Sequence, residues 1–332
     1  MNRKPSGSSM LLSKAIVGFL SFKEAEGLTS RTLDSYKKIL EKWQERIGDG
    51  EVGKIDSRNV ITYLNWLRNE YVPHRLNGKI HPLSPKTIRN FWICLCAFFK
   101  WAHVELSIPS PMDDVPTPKY KLAPVETFTK DEIERMLKGC QYTRDADTIE
   151  RKKFAMKRPT ASRDQAIILT LLDTGLRAME LCLLKIGDYD SKLGKFEIKH
   201  GVTGGAKGGK GRTVYAGKSA RRVIWRYLAA RVDVDDVEAP LFLGNKEHEL
   251  TPNALRHLIV SIAKKADVKK AYPHKFRHTF AITYLRSGGD IFTLQSILGH
   301  GSLDMTRHYA NIAGIDTEQA HRKASPVDNW RL

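Results

Sequence analysis

"LGHGSLDMTRHYAN", residues 298–311, sets Tyr309 one residue after His308, two after Arg307 and nine after His300. A phenol has a pKa of about 10 and is a poor nucleophile near neutral pH, so this company of cationic and protonatable side chains calls for a reason. Two other stretches supply similar groups. "DTGLRAMEL", residues 173–181, holds Arg177 just after a glycine able to end a helix. "HKFRH", residues 274–278, sets His274 and Arg277 three apart, on one face of a helical turn.

The two arginines are permanent cations whose forked guanidinium fits a pair of phosphate oxygens. His274 and His300 can donate hydrogen bonds to the same anion. These residue types make chemical sense together if Tyr309 attacks a phosphodiester, with the arginines neutralising the charge that grows on the non-bridging oxygens. A departing sugar oxygen then needs a proton. "GGAKGGKGR", residues 204–212, offers Lys207 and Lys210 on a glycine-rich hairpin.

Each stretch alone has another reading. "HKFRH" has the i, i+4 histidine spacing of a zinc site, with His300 available as a third ligand. Lys275 stands where metalloproteases place a glutamate, however, and Arg277 would repel a cation. "GGAKGGKG" lacks both the Gly-Lys-Ser/Thr ending and the following helix of a nucleotide-binding loop. Neither a metal nor a nucleotide cofactor is expected.

The rest of the chain is consistent with an anionic partner. Lys and Arg number 55 against 37 Asp and Glu in 332 residues, a formal charge of +18 spread along most of the length. Such a field draws in polyanions, and nucleic acid is the expected partner, although charge does not choose between DNA and RNA. No apolar run is long enough to cross a bilayer, and the opening "MNRKPSGSSMLL" lacks the apolar stretch of a secretory signal. A cytoplasmic protein with no membrane partner is expected. Cys94, Cys96, Cys140 and Cys182 show no zinc-knuckle spacing and read as reduced thiols.

Length predicts two domains. Residues 1–12 read as a flexible tail. Residues 13–107 carry four helical patterns, the last with Pro85 placed for a first turn, and Lys37, Lys38, Lys86 and Arg89 form a candidate phosphate-facing surface. Residues 108–126 hold five prolines, as expected of an extended linker. Residues 127–314 mix element types. Thr129 and Glu132 form a capping-box pattern, and an apolar helix runs to Gly175, with another opening at Arg177. "GKFEIKH" and "GRTVYAG" read as strands, and helices are expected near 218–232, 251–265, 275–287, 291–298 and 302–311. Residues 315–332 form a C-terminal segment. The fold class is mainly α with a small β-sheet (α+β).

Taken together, "TGLRAMEL", "KGGKGR", "HKFRHTFA" and "LGHGSLDMTRHY" resemble the tyrosine recombinase (phage-integrase-like) superfamily, in order and approximate spacing over residues 127–312. The helical first half resembles that family's core-binding domain. The resemblance implies that Tyr309 forms a 3′-phosphotyrosyl link and releases a 5′-hydroxyl. Arg177, Arg277, His274 and His300 would bind and polarise the phosphate, with His274 assisting as base. Lys207, ahead of Lys210, would be the general acid, and Glu180 would brace Arg177. The implied activity is site-specific recombination of double-stranded DNA, in integration, excision or resolution. It would proceed by four protomers on synapsed DNA, with residues 315–332 exchanged between neighbours and the need for accessory proteins left open. A type IB topoisomerase-like enzyme and a catalytically idle DNA-binding protein are the alternatives. Residues 143–161 are longer and more basic than the family pattern, reading as an added DNA contact or a loop. Ala206 stands where glycine often precedes the lysine. With no arm-site module assigned ahead of the helical half, a simpler recombinase of a mobile element or of Xer-like type is expected.

Overall fold

Apolar residues at helical spacing fill the first hundred positions, and there the chain forms α1 (Leu12–Ala25), α2 (Ser30–Ile47), α3 (Ser57–Asn69) and α4 (Pro85–Leu106). The computed structural model describes residues 9–74, 80–121, 124–142, 156, 158–199, 211–244 and 248–314, with positions 321, 325, 327 and 330. It divides into two compact units, Met1–Ala123 and Pro124–Leu332.

In the first unit local chemistry sets the helix ends. Asp56 and Asn59 cap α3 reciprocally, and Ser84 caps α4 with Pro85 in its first turn. The buried faces meet in an aromatic core, where Phe19 lies edge-on to Phe98 at 5.6 Å and Trp43 to Tyr63 at 4.7 Å. The proline-rich stretch does more than span a gap: Ile108, Met112 and Val115 are buried in that same core. Of the basic residues considered for phosphate, Arg89 is already engaged, bonding the Pro118 carbonyl and lying over the Tyr120 ring.

The second unit contains α5 (Lys130–Gln141), α6 (Ala161–Thr174), α7 (Ala178–Leu183), α8 (Lys218–Leu228), α9 (Pro252–Lys265), α10 (Pro273–Arg286), α11 (Ile291–Leu298) and α12 (Asp304–Ala313). Its antiparallel sheet has the order β1 (Tyr189–Asp190), β2 (Lys195–Ile198), β3 (Arg212–Tyr215). Phe196 pairs with Tyr189 on one side and Val214 on the other. The Thr129–Glu132 capping box opens α5.

Helix α6 is the hub, packed against α5, α8 and α10 and buried on several faces. Its charged residues are satisfied internally. Asp164 accepts from Arg163 and pairs with Arg158, and Arg163 also donates to the Gly244 carbonyl at 2.7 Å. A separate small core of Ala281, Ile282, Leu285, Leu294, Leu298, Tyr309 and Ala313 joins α10, α11 and α12.

Two local details depart from the sequence pattern. The helix expected to begin at Arg177 lasts only six residues, because the chain beyond it turns away to pair with residues 237–241. Ile186 donates to the Ala239 carbonyl and Leu241 to that of Leu184. Strand β1, two residues long, was not anticipated. Among the described residues no helix is long and apolar enough to cross a membrane. Lys207 and Lys210, most of the 143–161 segment and nearly all of 315–332 lie outside the described residues.

Candidate active site

Helix α10 starts at Pro273 and carries His274, Arg277 and His278, while Phe276 between them is fully buried. Arg277 is 1% exposed, yet no carboxylate bonds to it among the described residues. Its two terminal nitrogens donate to the carbonyls of Gly175 (2.9 Å) and Leu298 (2.7 Å), and among the described residues its Nε has no partner. One guanidinium thereby ties the end of α6 to the end of α11. Burial, then the nearby Arg177 charge, pushes its pKa down to about 9, which leaves it charged at neutral pH.

That tie depends on glycine. Gly175 leaves α6 at φ +63°, and a Cβ there would lie 2.6 Å from Phe280 Cδ1. Gly299 ends α11 at the same angle, and a Cβ there would sit 3.1 Å from an Arg212 nitrogen. Both positions need a left-handed backbone and a near approach.

Arg177 is the N-cap residue of α7. Its guanidinium donates to Glu180 Oε1 at 2.7 Å and to the Gly299 carbonyl at 3.1 Å, and its side chain is 37% exposed. Glu180 braces it as expected, but a third arginine shares the work. Arg212, the first residue of β3, donates to both Glu180 oxygens (2.8 and 2.6 Å) and to the Ile297 carbonyl (2.7 Å). Burial raises the pKa of Glu180, and the hydrogen bonds and charges of Arg212 and then Arg177 overcome it, leaving the carboxyl at about 2. Arg212 was passed over in sequence although it closes the "KGGKGR" stretch. Strand alternation puts it in phase with buried Val214, and an inward arginine needs an acid.

His300 follows Gly299, and its Nδ1 shares a hydrogen bond with Thr306 Oγ1 at 3.0 Å. Tyr309 on α12 is fully buried, with its ring stacked near that of His300 at 6.1 Å. Its hydroxyl lies 2.8 Å from Nδ1 of His278. His274 stands edge-on to His278 at 4.6 Å between ring centres. The structure therefore brings Arg177, Arg277, His274, His300 and Tyr309 into one cluster and adds Arg212 and His278. Lys207 and Lys210 fall outside the described residues.

The charge is lopsided. Among the described residues three guanidiniums gather near one carboxylate, and the imidazoles of His274, His278 and His300 respond. Burial first, then Arg277 and Arg177, lowers the pKa of His274. His300 is pushed down to about 4 by burial and then by Arg277, Arg177, His274 and Arg212. His278 is also pushed down to about 4, by burial and then by His274, Arg277 and His308. Burial raises the pKa of Tyr309, while Arg277 and Arg177 pull the other way. Among the described residues no three histidine, cysteine or acidic side chains converge as a metal site requires. Such a cluster can hold an anion. Its forked donors, neutral imidazoles and a buried phenol match a phosphodiester and a nucleophile.

The sequence pattern of the phage integrase family matches residues 126–314, more than half the chain. The chain belongs to the phage integrase family. Its similarity to individual tyrosine recombinases runs almost end to end. It is 28% identical to tyrosine recombinase XerC of Thermodesulfovibrio yellowstonii, over 94% of this chain and 96% of that protein. It is 26% identical to tyrosine recombinase XerA of Pyrococcus furiosus, over 96% of each. Among solved structures, the Tn1549 transposon integrase in complex with transposon right end DNA shares the fold with a TM-score of 0.71 at 19% identity. That likeness covers 90% of this chain and 94% of the other.

Proposed function

We propose that this tyrosine recombinase, a site-specific DNA recombinase, breaks and rejoins duplex DNA through Tyr309. The phenol oxygen attacks the scissile phosphorus, the bond to the 5′ oxygen breaks, and a 3′-phosphotyrosine holds the strand end. Arg177 and Arg277 take the two non-bridging oxygens, with His274 and His300 as further donors. The leaving 5′ oxygen takes its proton from a hairpin lysine, Lys207 before Lys210. Rejoining runs the same steps backwards with a 5′ hydroxyl from the exchanged strand, so no metal or nucleotide enters the balance.

One observation carries this reading. A fully buried arginine that has no acid partner among the described residues adjoins a buried tyrosine, and a phosphate would complete the first and take up the second. The named relatives, tyrosine recombinases XerC and XerA, support the same reaction class. Exchange of two duplexes needs four active sites, so four protomers on paired duplexes are proposed. Light scattering of the protein–DNA assembly measures that number.

The chemical test uses a duplex that the protein itself selects from a random pool, nicked so that the cleaved fragment diffuses away. The expected result is a covalent protein–DNA adduct on a denaturing gel that Tyr309→Phe abolishes. An adduct that survives this change, or no adduct on any selected duplex, overturns the assignment.

A further inference from the structure

The family resemblance implies His274 as an assisting base, but the structure puts a different imidazole on the nucleophile. Nδ1 of His278 lies 2.8 Å from the Tyr309 hydroxyl, and among the described residues no other group bonds that oxygen. Two directions are open to such a pair. If Nδ1 donated, the phenol's own proton would be buried without an acceptor, in a side chain with no exposed surface, which costs free energy. With the phenol donating, its own hydrogen has an acceptor in Nδ1. The oxygen lone pairs are then left free on the sides away from His278.

We propose that His278 is a catalytic residue that aims Tyr309 and receives its proton. As Tyr309 Oη bonds to phosphorus, its O–H bond breaks and the proton passes to Nδ1. His278 becomes an imidazolium, and the electron pair of the breaking phosphorus–oxygen bond leaves with the 5′ oxygen. In rejoining, His278 returns the proton to the departing phenol. His274, whose ring stands against His278 and not against the hydroxyl, is left free to contact phosphate.

The surroundings suit both states. The groups acting on His278 are His274 and Arg277 from its own helix and His308 and Tyr309 from α12. In the free protein the first three, with burial, keep the ring neutral and able to accept. A bound phosphate adds negative charge beside Arg277 and favours the imidazolium when it is needed. A base at hydrogen-bond distance from its proton typically contributes a hundredfold or more.

The inference rests on Tyr309 being the nucleophile, and the tests separate the two. On the same nicked duplex, His278→Ala is expected to bind DNA as the unmodified chain does while forming adduct about a hundredfold more slowly. Added imidazole should restore part of that rate. His278→Asn sets an amide oxygen near the Nδ1 position and holds the phenol, but it takes no proton, so it should remain slow. It also serves if the alanine variant folds poorly. A duplex with sulfur in place of the bridging 5′ oxygen needs no protonation of its leaving group. It should rescue Lys207→Ala but not His278→Ala. Full rate in His278→Asn, normal rate in His278→Ala, or rescue of His278→Ala by the sulfur duplex each overturns the proposal. Absence of adduct in the unmodified chain would instead strike the parent reading.

Discussion

Glu180 is the acid around which the arginines are arranged, and its state governs theirs. Arg212 satisfies both of its oxygens, so Arg177 can lean on the carboxylate without being neutralised by it. Arg212→Ala should cost about 3 kcal/mol of stability by leaving a buried acid underpaired, and should slow adduct formation at least tenfold. Chemical denaturation with the gel assay checks both; unchanged stability would contradict the bracing role. The histidines give a second prediction. His278 and His300 have folded values near 4 against an ordinary 6.5, so the stability they confer is present above pH 6.5 and is lost as pH falls toward 4. Glu180, lowered to about 2 from 4.5, adds a loss as pH falls from 4.5 through 2. The melting temperature should therefore decline from just below pH 6.5 and keep declining, and a flat profile down to 4.5 would refute this. Arg177, His274, Arg277, His300 and Tyr309 were legible because each sits in a short stretch with its own spacing. Arg212 and His278 were not, because their partners lie 32 and 31 residues away. Only the tertiary fold discloses what such side chains meet.

At the level of elements, the site is assembled from helix ends. Arg277 donates to the carbonyl of Gly175, just past α6, and to that of Leu298, the last residue of α11, and the glycines beyond those helices let the chain turn close by. Gly175→Ala should destabilise by at least about 1 kcal/mol through the left-handed backbone alone, with more from the collision with Phe280. Cleavage should slow as well, because the Arg277 acceptor moves. A variant of normal stability and rate would show that this end of α6 is not a fixed point. The later helices were readable from caps and periodicity, and α11 begins and ends where the pattern puts it. The short α7 was not, since backbone pairing of residues 184–187 with 237–241 overrides local preference there, and neither was the two-residue β1, which is defined only by its pairing with β2.

Across the whole molecule the excess of base over acid is general, but at Arg277 it becomes structural. Arg277 is buried with no carboxylate bonded to it among the described residues, so on the proposed reading phosphate binding and folding are thermodynamically linked. On that reading small tetrahedral anions compete for the same place. Sulfate should raise the melting temperature more than sodium chloride of equal ionic strength, and Arg277→Leu should lose that difference; equal responses would deny it. A preparation kept in sulfate or phosphate would thus be both preserved and silenced. The ion that lends it durability on the shelf would hold the seat of the scissile phosphate, and dilution of that ion would be the step that switches the reaction on.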